Sequence, residues 1–244
     1  MKKALVSYSA GIDSTTLAFL LREKGYDVTL ATFKDGPAND YSLEEDYCNY
    51  NEVMDLDSFS KELVWYQNWL SLNFNFKKVI FDFPSLNLFS PIKSYPGIKE
   101  TQLAEVNGCK FWVGYKSIMC LMLLSYGAAK NYDIVATGHM PYNNHYVDES
   151  LESYNYLSTY MNFAYADRVT IPKLIHPFYE KELNSKEKVL IEAYRLGVPL
   201  HYTFSCMINT IRLSCGRWAH CGKCENCLER ARGFSAINKI DPAL

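Results

Sequence analysis

The 244-residue sequence lacks any apolar run long enough to cross a membrane, and it has no marked excess of one charge. No stretch approaches the ~18 consecutive apolar residues of a membrane-spanning helix. The formal net charge of −2 leaves no global basic surface that could bind nucleic acid through its phosphates. These two absences argue against an integral membrane protein and against a general nucleic-acid-binding protein.

The amino-terminal residues also lack the pattern of a secretory signal. The segment "MKKALVSYSAGIDS" starts with two lysines, but its apolar stretch is short and is broken by Gly11 and Asp13. Eight cysteines could form a disulfide scaffold, yet four of them lie within residues 215–227. Short-spaced cysteines without a signal are typical of a metal site in a reducing compartment. We therefore expect a cytoplasmic protein.

Strand-like and helix-like segments alternate along the chain, which predicts an α/β fold with an open, mostly parallel sheet and helices on both faces. The predicted strands are 3–8, 26–33, 77–83 and 132–139, and residues 168–178 are predicted to form a further strand and a loop. The predicted helices are 15–25, 58–72, 111–131, 148–165 and 185–197. After residue 200 the composition shifts to cysteine, glycine and arginine. We divide the chain into a main domain at 1–200 and a metal-binding module at 201–244 packed on it.

A hydroxyl-rich turn, "SYSAGIDSTT" at 7–16, connects the first predicted strand to the first predicted helix. Gly11 permits close approach of the backbone to an anion, and the helix start supplies N–H groups and a positive dipole end. The turn is not a Walker A loop, because no lysine precedes its Ser/Thr residues. An ordinary turn with Asp13 as N-cap is the alternative interpretation. The hydroxyl-bearing residues are Ser9, Ser14, Thr15 and Thr16.

The stretch "SAGIDSTT" resembles the SGGxDS loop of the ATP pyrophosphatases, and its "DSTT" end is most similar to the 7-cyano-7-deazaguanine synthases. The resemblance implies that the loop binds the β- and γ-phosphates of ATP and leaves the α-phosphorus open to attack. Asp13 and Ser14 are then catalytic candidates. Ala10 stands where the family usually has glycine, and its methyl group fits if the residue has negative φ. The implied ATP-binding residues of the loop are Ser9, Ala10, Gly11, Asp13, Ser14 and Thr15.

The segment "CGKCENC" at 221–227 contains three thiols, with two residues between each neighbouring pair. A structural zinc site needs a fourth ligand, and spacing alone leaves both Cys206 and Cys215 as candidates. Unliganded core cysteines are the alternative. The synthase family ends with a Thr-Trp-Ser-Cys segment before its Cys-Gly-Lys-Cys motif, and this chain has "TFSC" at 203–206. The resemblance therefore implies a structural Zn²⁺ held by Cys206, Cys221, Cys224 and Cys227, while the longer intervening loop keeps Cys215 open.

Further candidates lie between these two motifs. By its position in "VGYKS" (113–117), Lys116 is a catalytic candidate that would neutralise phosphate or carboxylate charge; an exposed lysine at a helix start is the alternative. Gly138 and His139 lie at the carboxyl end of a predicted strand, where open α/β sheets bind ligands, although a packed or capping histidine is equally consistent. Thr32 and Phe33, at the end of the second strand, complete the candidate nucleotide-binding set.

The middle of the chain departs from the synthase pattern. The family's Pro-Gly-Arg-Asn becomes "VGYKS", its Asp-Tyr-Gly-Gln-x-His motif is reduced to "KDGP" (34–37), and its Cys-Arg pair becomes Glu149–Ser150. Asp148 and Glu149 could hold Mg²⁺ or recognise a base edge, but acids at a helix start are expected anyway. Because of these departures, the resemblance supports activation by ATP more strongly than it supports any particular acyl acceptor.

The resemblance implies an ATP-dependent ligase that uses Mg²⁺ and adenylates a carboxylate, and the carboxylate it implies is 7-carboxy-7-deazaguanine. Attack by ammonia would give the amide, and a second activation would give the nitrile. The altered middle makes an amine of a protein or another macromolecule the second expectation, for example in an antiviral defence system. A non-catalytic nucleotide-binding module is the third. A homodimer is the assembly we expect.

Overall fold

The computed structural model describes residues 1–35, 56–83, 115–141, 150–206 and 219–243. Several expectations therefore fall outside the described residues. These are the alternative zinc ligand Cys215, the acids Asp148 and Glu149, and the end of the "KDGP" segment.

A five-stranded parallel sheet forms the centre of the fold. Its strands, in chain order, are β1 (Lys3–Ser7), β2 (Asp27–Asp35), β3 (Lys77–Phe83), β4 (Ile134–Ala136) and β5 (Lys173–Ile175). Their order across the sheet is β3-β2-β1-β4-β5, and every neighbouring pair is parallel. The expected α/β fold with an open parallel sheet is confirmed.

Six α-helices accompany these strands in the described part of the chain. They are α1 (Ile12–Glu23), α2 (Leu56–Phe74), α3 (Tyr115–Ala129), α4 (Leu151–Tyr165), α5 (Lys186–Arg195) and α6 (Glu225–Ala236). Side chains of α1, α2, α5 and α6 share one buried cluster on one face of the sheet, whereas those of α3 and α4 belong to a second cluster. Helices therefore cover both faces.

The central strand β1 shows why helices must cover both faces of the sheet. Ala4 and Val6 belong to the cluster that contains α1, while Leu5 belongs to the cluster that contains α3. All three residues are fully buried. A strand buried on both faces must be apolar throughout, and that is the pattern of the "KALVS" sequence.

The chain reverses its direction of travel across the sheet at β1. From β1 it moves outward through β2 to β3, and it then returns to place β4 on the other side of β1. The connections that leave the carboxyl ends of β1 and β4 therefore diverge, which opens a crevice where such sheets bind ligands. The hydroxyl-rich turn follows β1, and Gly138 and His139 follow β4, so both candidate segments lie at this crevice.

Helix α1 begins three residues earlier than the sequence pattern indicates. Gly11 is its N-cap, with an extended backbone (φ −70°, ψ 168°) and no side-chain cap hydrogen bond. Asp13 lies inside the first turn, so it is not the N-cap. The early start places the first-turn backbone directly beside β1.

The cysteine-rich end of the chain contains a helix, α6, that the sequence analysis does not predict. Buried Phe204, Phe234 and Cys206 belong to the same core cluster as the β1 residues Ala4 and Val6. The metal-binding segment thus packs on the main sheet, and the boundary near residue 200 stays a prediction. Within the described residues, no helix combines the length and apolar character required to span a bilayer.

Candidate functional site

The turn after β1 is fixed by hydrogen bonds that its hydroxyl groups make with one another and with its backbone. The Ser9 N–H donates to Ser14 Oγ at 3.2 Å, and the Ser9 and Ser14 hydroxyl oxygens also lie 3.2 Å apart. Ser9 is exposed, whereas Ser14 is buried. The Thr15 hydroxyl donates back to the Gly11 carbonyl at 2.8 Å. Ser14 therefore shapes the turn from within, and Ser9 lies on its exposed side.

The start of α1 leaves backbone donors available at this turn. The first N–H groups of a helix have no partner within the helix, and the first backbone bond here runs from Thr15 N–H to the Gly11 carbonyl at 3.1 Å. Because Gly11 offers no capping side chain, the N–H groups of residues 12–14 are not used by a cap. A helix start of this kind, with its positive dipole end, attracts anions such as phosphate.

Ala10 adopts a left-handed backbone conformation, with φ +58°. The condition under which its methyl group fits readily, a negative φ, is therefore not met. A left-handed non-glycine residue is held at a cost of roughly 1–2 kcal/mol, because its Cβ crowds the following carbonyl. The carbonyl of Ala10 accepts a hydrogen bond from the Phe204 N–H at 2.8 Å, which helps to hold the strained turn in place.

Gly138, at the end of β4, lies directly against the start of α1. A Cβ atom placed on it would be 3.1 Å from the Ser14 nitrogen and 3.2 Å from the Asp13 carbonyl carbon. Both neighbours are backbone atoms, so they cannot move aside by rotating a side chain. Only a glycine permits β4 and the phosphate-binding candidate turn to come this close.

Substituting Gly138→Ala is expected to shift the start of α1 by a few tenths of an ångström and to lower ATP affinity about tenfold, because misplaced N–H donors lose ~1.5 kcal/mol of charge-assisted hydrogen bonding. Titration calorimetry with ATP measures the change. Gly25→Ala is the control, since Gly25 has φ +83° and no atom within 4 Å of an added Cβ. The control should lose stability but retain ATP affinity; equal affinity losses in both variants would contradict the prediction.

Asp13 is engaged with a cation from a distant part of the chain. Lys186 Nζ lies 2.7 Å from Asp13 Oδ1 and 2.6 Å from Oδ2, and it is also 3.6 Å from Glu229 Oε1. Lys186 is the first residue of α5, and Glu229 belongs to α6. Burial raises the pKa of Asp13, and the charge and hydrogen bonds of Lys186 oppose that rise. The catalytic candidate Asp13 thus sits in a three-residue charge cluster.

His139 belongs to a stack of rings at the ends of β4 and β5. Tyr154 of α4 hydrogen-bonds to His139 Nδ1 through its hydroxyl and stacks on His176, with ring centroids 3.9 Å apart. His176 Nδ1 in turn lies 2.6 Å from the Thr137 hydroxyl oxygen. Burial lowers the pKa of His139 well below its usual value and that of His176 to about 4. Burial therefore disfavours the charged form of both rings.

The remaining sequence candidates occupy different environments. Lys116 lies near the start of α3, close enough to His139 that its charge lowers the histidine pKa. Thr32 is fully buried, with its hydroxyl directed to the Tyr8 carbonyl at 3.4 Å. The ring of Phe33 stacks on Phe81 at 5.0 Å within the core. The structure thus brings Lys116 toward the crevice but places the side chains of Thr32 and Phe33 in the interior.

Four cysteine thiols form a compact cluster beside α6. The Sγ atoms of Cys206, Cys221, Cys224 and Cys227 all lie within 4.8 Å of one another, and Cys221 and Cys227 are 3.9 Å apart. Tetrahedral Zn²⁺ with bonds of about 2.3 Å would place its sulfur ligands ~3.8 Å apart. The cluster is therefore compatible with zinc in its donor chemistry and in its dimensions.

Backbone N–H groups surround these sulfur atoms. The Cys221 N–H donates to Cys206 Sγ at 3.4 Å, and the Lys223 and Cys224 N–H groups donate to Cys221 Sγ at 3.4 and 3.3 Å. Hydrogen bonding to Cys206 and burial hold the pKa of the Cys227 thiol above its usual value. Such donors stabilise thiolates, and a bound cation would remove the mutual repulsion between them.

Sequence reasoning missed Lys186, Glu229 and Tyr154 as components of this region. Lys186 follows the helix cap Ser185 and has the sequence context of an ordinary solvent-exposed lysine. Glu229 lies on the helix that was not predicted. Tyr154 is one of nineteen tyrosines in the chain, and nothing in its sequence context distinguishes it from the others. No local sequence signal distinguishes these residues, because their partners lie far away along the chain.

The parallel sheet, its crevice and the donor-rich turn together define an α/β protein with a candidate anion-binding turn at the carboxyl end of β1. Residues 76–238 match the family described as "Queuosine biosynthesis protein QueC". This range covers about two thirds of the sequence, and the chain belongs to that family. The resemblance noted from the two terminal motifs is thereby confirmed.

Curated relatives match almost the whole chain at low identity. The 7-cyano-7-deazaguanine synthase of Methanosphaera stadtmanae is 24% identical over 98% of this chain and 96% of its own length. The synthase of Sulfurimonas denitrificans is 25% identical over 99% and 96%, respectively. The 7-cyano-7-deazaguanine synthase 1 of Desulfitobacterium hafniense is 27% identical over 95% and 91%.

Proposed function

We propose that this protein is an ATP-dependent ligase that adenylates a deazapurine carboxylate, 7-carboxy-7-deazaguanine, and passes the activated acyl group to ammonia. The single observation that carries the proposal is the donor-rich turn of residues 9–15 at the crevice of a chain that belongs to the QueC family. The names of its curated relatives supply the substrate class.

The turn suits the pyrophosphate end of ATP. The N–H groups of residues 12–14 and the Ser9 hydroxyl would hold the β- and γ-phosphates, and their charge would be stabilised by the helix start. Mg²⁺ would neutralise further phosphate charge. The α-phosphorus would then face the crevice between β1 and β4, where a substrate oxygen can attack it.

Activation by ATP overcomes the low electrophilicity of a carboxylate. A carboxylate oxygen attacks the α-phosphorus, the bond to the β-phosphate oxygen breaks, and acyl-AMP and pyrophosphate form. Ammonia attacks the acyl carbon, loses a proton and displaces AMP, which gives the amide. A second ATP can adenylate the amide oxygen, and loss of AMP with two protons from nitrogen gives the nitrile.

The cysteine cluster would hold a structural Zn²⁺ in this proposal. Four thiolates from Cys206, Cys221, Cys224 and Cys227 leave no coordination position for water, so the ion would stabilise the fold and take no part in the reaction. Lys116 and His139 would lie near the acyl end of the crevice. Their roles there stay predictions.

One observation favours a larger amine as the acyl acceptor. Ser150, which stands where the family has arginine, is the N-cap of α4, and its hydroxyl accepts the Ser153 N–H at 3.1 Å. The position therefore stabilises a helix start and offers no guanidinium to an acyl acceptor or product. Conjugation of the deazaguanine to an amine of a protein is the second candidate function.

Pyrophosphate release tests the proposal directly. Wild-type protein mixed with Mg-ATP should release pyrophosphate only when 7-carboxy-7-deazaguanine is present, and Ser14→Ala should reduce the rate at least tenfold, because losing a hydrogen bond in a charged site costs roughly 1.5–3 kcal/mol. Ser71→Ala is the matched control. The Ser71 hydroxyl donates to the Phe76 carbonyl beside the start of the edge strand β3, at the end of the sheet away from the turn.

Product analysis separates the two acceptors. Intact-mass analysis with ammonium should show the amide or nitrile, whereas a mass increase on a partner protein would exclude the simple synthase. If the acid triggers no pyrophosphate release, or if Ser14→Ala retains the wild-type rate, the assignment of the turn to ATP is wrong.

A further inference from the structure

The phosphate-binding candidate turn and the cysteine-bearing segment are joined through the backbone. The Phe204 N–H donates to the Ala10 carbonyl at 2.8 Å, two residues before the thiol of Cys206. The ring of Phe204 stacks on Tyr66 of α2, with centroids 5.8 Å apart. The strained residue of the turn is therefore held by a segment that is itself fixed in the core.

A second connection runs through charged side chains. Lys186 Nζ contacts both carboxylate oxygens of Asp13, at 2.7 and 2.6 Å, and lies 3.6 Å from Glu229 Oε1. The ammonium group has three N–H donors, so it can serve both carboxylates at once. The side chains of Lys186, Asp13 and Glu229 are 14%, 22% and 19% exposed. This shelter from solvent distinguishes the cluster from an exposed ion pair of negligible strength.

Helix α6 can supply Glu229 at this point because it packs unusually close to α5. A Cβ atom on Gly233 would lie 2.6 Å from Lys186 Cγ and 2.9 Å from Leu190 Cδ1. The absence of a side chain at residue 233 thus lets α6 press on the stem of Lys186, one turn from Glu229. Packing and charge both fix the direction of the Lys186 side chain.

The position of Asp13 explains why its carboxylate must be held in one orientation by Lys186. Its carboxylate lies in the first turn of α1, beside the N–H groups that would bind phosphate. An unpaired carboxylate there would repel a polyphosphate and compete with it for the helix start. Lys186 neutralises this charge and draws the carboxylate to the α5 side, and Glu229 holds Lys186 in place.

We propose that Lys186, oriented by Glu229, is a positioning residue that holds Asp13 so that the turn can accept the triphosphate of ATP. The proposal rests on the proposed function, since it takes ATP as the ligand of the turn. It gives the cysteine-bearing helix α6 a part in ATP affinity in addition to its part in the fold.

Substitution of Glu229→Gln tests the link, with Glu23→Gln as the matched control. Glu23 pairs with Arg195 at the carboxyl ends of α1 and α5. This ion pair joins the same two helices that Asp13 and Lys186 join at their amino-terminal ends. We expect Glu229→Gln to raise the KM for ATP about fivefold while kcat changes less than twofold. This pattern arises when a substitution weakens binding of the ground state and of the transition state equally. Amide hydrogen exchange at residues 9–14 should accelerate. The control should show neither change.

A double-mutant cycle tests whether Glu229 acts through Asp13. In an Asp13→Asn background, Glu229→Gln should cause no further change in ATP dissociation constant or in exchange at residues 9–14. Independent effects in the two backgrounds would overturn the proposal. Melting temperature and zinc content are measured in parallel, and both should match the wild type.

The outcomes separate this inference from the proposed function. Normal pyrophosphate release with unchanged KM and exchange in Glu229→Gln would overturn the inference alone. Accelerated exchange at residues 9–14 in a protein whose wild type has no affinity for ATP would overturn the proposed function and still support the link between α6 and the turn. Equal effects of Glu229→Gln and Glu23→Gln would show general loosening and overturn the inference.

Discussion

Replacement of Arg230 by methionine is expected to destabilise the protein by about 3–5 kcal/mol, because it leaves a buried carboxylate without its positive partner. Arg230 is 2% exposed, and its guanidinium contacts Asp241 at 2.5 and 2.8 Å. It also donates to the Thr203 hydroxyl at 2.8 Å and to the Leu200 carbonyl at 3.1 Å. One side chain thus ties α6 to the segment that leads into Cys206.

Chemical denaturation of the metal-loaded protein measures this loss, and Arg232→Met is the matched control. Arg232 lies two residues further along α6, is exposed, and pairs with exposed Glu225. An exposed pair of this kind contributes ~0–1 kcal/mol. If the two variants lose similar stability, the buried network around Arg230 is not a major support of the fold. Asp241→Asn in the Arg230→Met background should restore part of the loss, since it removes the unpaired charge.

The same pair predicts a dependence of stability on pH. Burial alone would raise the pKa of Asp241, but the hydrogen bonds and charge of Arg230 outweigh it and hold the pKa below its usual value. A carboxyl group with a depressed pKa stabilises the folded state above its unfolded pKa of about 3.9, and that stabilisation is lost as the pH falls through the folded pKa. The difference in unfolding free energy between wild type and Arg230→Met should therefore shrink below about pH 4.

The parts of the fold that local pattern determines could be predicted from the sequence. The apolar run of β1, the hydroxyl-rich turn and the helix after it are contiguous, so their order alone places the turn at the carboxyl end of a buried strand. The strand at 77–83 has the bounds expected of it. The spacing of Cys221, Cys224 and Cys227 likewise predicts thiols that converge, because two-residue gaps bring them to one side of the chain.

Features that depend on distant contacts could not be predicted. Ala10 has a left-handed backbone that is held partly by the N–H of Phe204, 194 residues later in the sequence, and a sequence pattern gives no sign of that contact. Asp13 has the sequence context of an N-cap, whereas its actual partner is Lys186 on another helix. The stack of His139 on Tyr154 depends in the same way on the packing of α4 against the sheet.

Helix α6 shows how a local rule can mislead. Its sequence "ENCLERARGFSA" has helix-favouring residues, but Gly233 has the appearance of a breaker and the cysteines draw attention to the metal site. The structure gives the glycine a packing role, because a Cβ there would overlap the stem of Lys186. The close contact with α5 offsets the loss of helix stability that this glycine causes.

Loss of the metal is expected to have the largest effect on the carboxyl-terminal segment. Purified protein should hold one Zn²⁺ per chain, and Cys227→Ser or chelation should remove it. Structural zinc sites in small peptides contribute about 10–16 kcal/mol of apparent folding free energy. If even ~5 kcal/mol is lost here, the melting temperature should fall by roughly 10–20 °C for a chain of this size.

The pattern of that loss distinguishes a structural ion from an incidental one. Hydrogen exchange should accelerate in residues 200–206 and in α6, and ATP affinity should fall with it, because the Phe204 N–H and Glu229 both connect this segment to the turn. Cys120→Ser is the control, since Cys120 is buried on α3 and lies outside the thiol cluster. Protein that is isolated without stoichiometric zinc, yet has a stable α6 and binds ATP, would show that the four thiols pack without a metal.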